Sequence, residues 1–156
     1  MWRWLGVSVL VVVLDQLSKY QIEQTLLLFE TRPVFPGFNL TRVYNEGAAF
    51  SMLSDAGGWQ RGFFIVLAVV IITALLVWLW RLPRGFRWET LGVALVIGGA
   101  FGNLIDRVRL GHVVDFLDCY IAGMHWPAFN VADAAISVGV VLLIVEGLMG
   151  SRRRET

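Results

Sequence analysis

The sequence predicts an all-α membrane protein: four transmembrane helices with both termini cytoplasmic, plus a small extracytoplasmic platform containing β structure. Three observations predict it. Of 156 residues, 57% are hydrophobic and only 16% charged, too little charge to cover a soluble domain of this size. The mean hydropathy is accordingly high, at +0.68. Four apolar stretches, at approximately 4–28, 62–80, 90–105 and 129–149, alternate with connections where most charges collect, and the Lys and Arg form short clusters. With no internal repeat and no low-complexity segment, residues 1–156 read as a single integral-membrane domain.

The first stretch opens as the pure run Leu5–Leu14 and is then interrupted by Asp15, Ser18 and Lys19. Arg3 ahead of an apolar run has the look of a secretory leader. Leu14-Asp15-Gln16-Leu17, however, stands where small residues would mark a cleavage site. Asp15 and Lys19 are four apart, so on a helix they share a face and can neutralise each other inside a membrane. A transmembrane helix is expected. Gly62–Trp80 is uncharged and long enough, at about 1.5 Å per residue, to cross a hydrocarbon core of roughly 30 Å. Thr90–Ile105 is rich in small residues, and its Gly98, Gly99 and Gly102 read as positions of close helix packing. Phe129–Met149 supplies the fourth span.

Arg81, Arg84 and Arg87 lie between the second and third spans, Arg3 near the N-terminus, and SRRRET at the C-terminal end. The positive-inside rule puts all three clusters in the cytoplasm, which four spans satisfy together. Connections 29–61 and 106–128 then face outward. Trp2, Trp4, Trp59, Trp78, Trp80, Trp88 and Trp126 fall near span ends, where amphipathic rings suit the interface. Within the outward connections, Phe38–Tyr44 is rich in β-branched and aromatic residues before the turn signal Asn45-Glu46-Gly47, and Gly111–Tyr120 reads similarly. These two segments are the expected strands of the platform.

The outer surface also holds the acids. Asn130 precedes Asp133 by three residues, the pattern of an N-cap followed by an acid in the first turn, so Asp133 has a sufficient role as a helix cap. A second reading pairs it with Asp115, which the chain returns to the same membrane face. Two carboxylates held close cannot both ionise cheaply, so one keeps a proton while the other can activate water. Spacing alone leaves both readings open. Asp106 and Asp118 read as solvated or paired surface acids. His112 and His125 match no metal-binding spacing, and the lone Cys119 excludes an intrachain disulfide and reads as a packing residue. Neither metal nor cofactor is expected. A net charge of +1 argues neither for nor against a nucleic-acid partner, and none is expected. A transporter would want a repeat or a broken-helix pair at the midplane, whereas the acids here cluster at the outer end; a haem subunit would want His within its spans, and both His lie outside them.

Five motifs then occur in order: Asp15-Gln16-Leu17-Ser18-Lys19; Tyr44-Asn45-Glu46-Gly47-Ala48-Ala49-Phe50-Ser51; Gly98 through Arg107 (GGAFGNLIDR); Val113-Val114-Asp115-Phe116; and Phe129-Asn130-Val131-Ala132-Asp133. Together they closely resemble bacterial lipoprotein signal peptidase, or signal peptidase II, over nearly the whole chain, with no departure at a polar motif position. The resemblance implies an aspartic endopeptidase of the bacterial cytoplasmic (inner) membrane with its active site on the extracytoplasmic side. Its partners would be membrane lipid and prolipoproteins, cut just before a cysteine already carrying diacylglyceryl. By motif position it implies Asp115 and Asp133 as the catalytic dyad. Asn45, Asn103, Arg107 and Asn130 would surround the dyad and substrate, and Asp15 and Lys19 would support them from the first helix. Asn103 and Arg107 are four apart, which suits an amide and a guanidinium presented from one helix face.

Overall fold

The computed structural model describes residues 2–47, 59–82 and 87–152. Arg84, the Ala48–Ser51 part of the second motif and the tail from Arg153 lie outside the described residues. Four helices, α1 (Trp2–Thr25), α2 (Trp59–Arg81), α3 (Trp88–Arg109) and α4 (Val131–Arg152), are each long and apolar enough to cross a membrane. The first ends at Thr25 rather than near Leu28, and the reason is local. Arg42 Nη1 donates to the carbonyls of Glu23 (3.2 Å) and Leu26 (3.0 Å), which caps the helix. The chain then turns through Phe29, with φ at 65°, toward the first strand.

The helices alternate in direction. At one end, Trp4 and Leu5 of α1 pack with Leu79 of α2, Val93 of α3 and Leu143 of α4, so the start of α1 and the C-terminal half of α4 lie at the same end of the helices. At the other end, Arg61 near the start of α2 donates to the carbonyls of Arg107 and Val108, where α3 finishes. Helix α3 is the axis and packs against all three others. The small residues seen in the sequence make this possible. A Cβ on Gly99 would fall onto the Ala132 carbonyl oxygen of α4, and one on Gly102 would sit 2.6 Å from Asp15 Oδ2 of α1. The approach at Gly99 and Gly102 is therefore closer than any side chain allows.

Four antiparallel strands form one sheet in chain order: β1 (Thr31–Phe35), β2 (Phe38–Asn45), β3 (Val113–Ile121) and β4 (Met124–His125). The two strands expected from the sequence are the central pair. The register between them shifts by one residue: Leu40 faces Leu117, but Val43 faces Asp115. A shift of one moves every later side chain to the opposite face of the sheet. Asn39 and Asn45, which a regular strand would present on the same face, are thereby separated; Asn39 opposes Asp118, and Asn45 reaches Asp115. The sheet is seated on the helices by Phe116, buried with Ile22 of α1 and Leu26 just after it.

Gly99→Val should cost on the order of 3 kcal/mol of stability or prevent folding, because a backbone carbonyl cannot move aside as a side chain can. Gly6→Ala, where nothing lies within 4 Å, should be neutral to within about 0.5 kcal/mol. Thermal unfolding in detergent compares the two, and equal behaviour would contradict the packing account.

Candidate active site

A buried charge cluster lies where α1, α3 and the start of α4 meet. Lys19 Nζ sits 2.8 Å from Asp15 Oδ2, 2.8 Å from Asp106 Oδ2 and 3.0 Å from Asn103 Oδ1. Asp15 is 0% and Lys19 3% exposed, so these charges persist only because every polar atom is matched. The remaining acceptors are satisfied: Ala132 N donates to Asp15 Oδ1 at 2.9 Å, and Gln16 Nε2 to Asp106 Oδ1 at 2.8 Å. Asp106 is thus a buried partner of Lys19, not the surface acid its place at a helix end suggested.

From this cluster a chain of amides leads to the two candidate carboxylates. Asn103 Oδ1 accepts from Lys19 and from Asn130 Nδ2 (3.2 Å), which leaves Asn103 Nδ2 to donate to Asp133 Oδ1 at 2.7 Å. Asn130 and Asp133 cap α4 reciprocally: Asn130 N donates to Asp133 Oδ2 at 3.2 Å, and Asp133 N to Asn130 Oδ1 at 2.9 Å. Asn130 Nδ2 also donates to Asp115 Oδ1 at 2.7 Å, while Asn45 Nδ2 donates to Asp115 Oδ2 at 3.0 Å. Asn45 Oδ1 meanwhile accepts from Gly47 N at 3.0 Å, a local turn that fixes the amide. Asp115 and Asp133 open onto one cleft of about 540 Å³, lined also by Asn45, Asn103, Arg107 and Trp126.

The cap reading and the pair reading of Asp133 are therefore compatible, since the same carboxylate closes the capping box and faces the cleft. Burial, and next the nearby Asp133 charge, push the Asp115 carboxyl up to about 7, although Asn45, Asn130 and Lys19 all favour its charged form. One acid that keeps its proton near neutrality beside a second carboxylate is an arrangement suited to acid–base hydrolysis.

All eight residues singled out in the sequence converge here or support the site directly. Arg107 lies on the rim: its Nη2 donates to Gly47 O at 2.8 Å, its guanidinium stands 5.3 Å over the Phe64 ring, and its Nε has no hydrogen-bond partner. The imidazoles go elsewhere. His112 stacks on Tyr44 with centroids 3.7 Å apart, and burial holds its pKa below the ordinary imidazole value; His125 pairs with Asp118. Asp118 is buried, contrary to the expectation of a surface acid. Sequence reasoning missed Gln16, which bonds Asp106 and the Gly102 carbonyl, and the Ala132 amide on Asp15. Gln16 stood inside the first motif, but no local pattern announces a partner on another helix.

Residues 7–149 match the family model described as signal peptidase (SPase) II. The chain belongs to the signal peptidase II family. It is a multi-pass bacterial membrane peptidase. A lipoprotein signal peptidase of Cupriavidus necator is 57% identical over 96% of this chain and 85% of its own length; that of Aeromonas hydrophila is 47% identical over 98% and 92%. A solved bacterial membrane enzyme superposes with a TM-score of 0.87 at 34% identity, covering 97% of this chain and 90% of that one.

The raised Asp115 has a consequence for this peptidase's stability. A native carboxyl that titrates near 7, against 3.8 without its surroundings, stabilises the fold fully at low pH and loses that contribution as the pH rises through 7. Asp115→Asn cannot ionise, so relative to wild type it should gain stability between about pH 4 and 7, by at most about 4 kcal/mol, and no more above that. Melting temperatures of both proteins across that range test the sign; a variant that loses ground as pH rises would contradict it.

Proposed function

We propose that this peptidase removes signal peptides from prolipoproteins by aspartic hydrolysis, with Asp115 and Asp133 as the dyad. The observation that carries the reading is the single cleft onto which both carboxylates open, one of them raised to about 7 and each held by asparagine amides. Asp133, at the N-terminus of α4, is placed where a helix favours an anion, so it carries the charge and Asp115 holds the shared proton. Asp133 takes a proton from water as the hydroxyl attacks the scissile carbonyl carbon. Asp115 gives its proton to the carbonyl oxygen, producing a gem-diol. Proton transfer from Asp133 to the leaving nitrogen then breaks the C–N bond, and a diol proton returns to Asp115. Arg107, whose guanidinium lines the cleft, binds a substrate carbonyl.

The relatives' names support prolipoproteins as substrates. The motif resemblance supports cleavage just before a diacylglyceryl-modified cysteine, whose acyl chains would lie among the helices. Charge supports the orientation: Arg3, Arg81 and Arg87 stand at the end of the helices opposite the cleft, which by the positive-inside rule favours cytoplasmic termini and an extracytoplasmic dyad.

Cleavage of a diacylglyceryl-modified prolipoprotein by purified protein tests the mechanism. Asp115→Asn and Asp133→Asn should each lower turnover by about three to four orders of magnitude, and the double variant should be little worse than either, because the pair acts as one unit. If Asp133 served only as a cap, Asp133→Asn would cost on the order of 1 kcal/mol of stability and leave activity nearly normal.

A further inference from the structure

Asp118 follows Asp115 by three residues on β3, which places its side chain on the other face of the sheet. It is a carboxylate only 7% exposed, a burial that is costly unless the group is bonded. Its bonds are specific. Asn39 Nδ2, from the opposing position on β2, donates at 2.7 Å, and His125 Nδ1, on β4, lies 2.8 and 3.0 Å from the two carboxylate oxygens. His125 also stacks on Tyr120, its register partner, with centroids 5.0 Å apart. One buried acid thus ties together three adjacent strands.

The next residue is Trp126. Its backbone N donates to Cys119 O at 2.7 Å, and it lines both the Asp115–Asp133 cleft and a second, apolar cavity of about 560 Å³ bounded by Phe35, Tyr120, Ile121 and Met124. Beyond Trp126, Pro127 and Ala128 continue the cleft wall to Phe129, which is anchored by backbone bonds with Leu117 in both directions. The hydrolytic step has no use for Asp118, Asn39 or His125. They stand at the root of the segment that walls the cleft.

We propose that Asp118, Asn39 and His125 are positioning residues that fix Trp126 as the shared wall of the two cavities, and so set how tightly the substrate segment is held. A Trp side chain suits this task, because it gives a large rigid surface with little entropy to lose. The imidazole donates from Nδ1 whether neutral, in that tautomer, or charged, so the latch holds in both states. The inference rests on the Asp115–Asp133 cleft being where the peptide is cut.

Steady-state kinetics of the full chain on lipid-modified prolipoprotein test it. His125→Ala should raise KM by about tenfold and leave kcat within about twofold, because the wall binds the substrate without entering the chemistry. His125→Asn, whose amide nitrogen can occupy the place of Nδ1, should restore KM, while His125→Gln, which reaches the Nε2 position, should not. In a Trp126→Ala background, His125→Ala should add nothing further. An unchanged KM in His125→Ala, equal rescue by Asn and Gln, or full additivity with Trp126→Ala would overturn the proposal. An Asp133→Asn control separates failures: normal turnover there would overturn the dyad on which the latch rests. His125 is 53% exposed on a two-residue strand, so its variants leave the fold intact, which matched melting temperatures check.

Discussion

The Lys19 ammonium, held between the carboxylates of Asp15 and Asp106, is the contact on which the rest of the structure depends. Two buried acids share one buried cation, so the cluster exists only while backbone amides and Gln16 satisfy the remaining oxygens. That requirement fixes geometry. Asp15 must reach the Ala132 amide, which sets the height of α4 against α1; Asp106 must meet Lys19, which sets the rotation of α3. In a bilayer, where apolar burial does not draw helices together, directional polar contacts and close backbone approach at Gly99 and Gly102 do that work.

The same ammonium orients the amides that hold the proposed dyad. Because Asn103 Oδ1 faces Lys19, Asn103 Nδ2 faces Asp133, and Asn130 then spans from Asn103 to Asp115. Each amide has its donor and acceptor ends decided by a neighbour. A dyad needs this, since a carboxylate free to rotate would spread its proton over several geometries. The positioning extends outward as well: Asn45 is locked by its own turn, and Asn39 and Asp118 tie the strand that carries Asp115 to β2 and β4.

Much of this was legible in the sequence for physical reasons. Apolar runs long enough to span a membrane declare helices outright, and the motif pattern brought Asp115, Asp133 and their asparagines together. Other features were not readable. The strand at Thr31–Phe35 was not expected; its Pro33 is tolerated because β1 is the sheet edge, and β4 is too short to signal itself. Asp106 and Asp118 looked like surface acids because one stands near the end of a span and the other in the connection after it, whereas their partners, Lys19 and Asn39, are remote in sequence. The one-residue register shift that aims Asn45 at Asp115 leaves no trace in composition or periodicity.

The central claim is that Asp115 keeps a proton near neutrality while Asp133 carries the charge. Infrared difference spectroscopy of protein labelled with ¹³C-aspartate measures this directly, because a protonated carboxyl has its own C=O stretch. A carboxyl band should be present at about pH 6, titrate away near 7 and be missing from Asp115→Asn. A spectrum with no aspartic acid band titrating between about pH 6 and 8, or one in which that band survives in Asp115→Asn, would contradict the account.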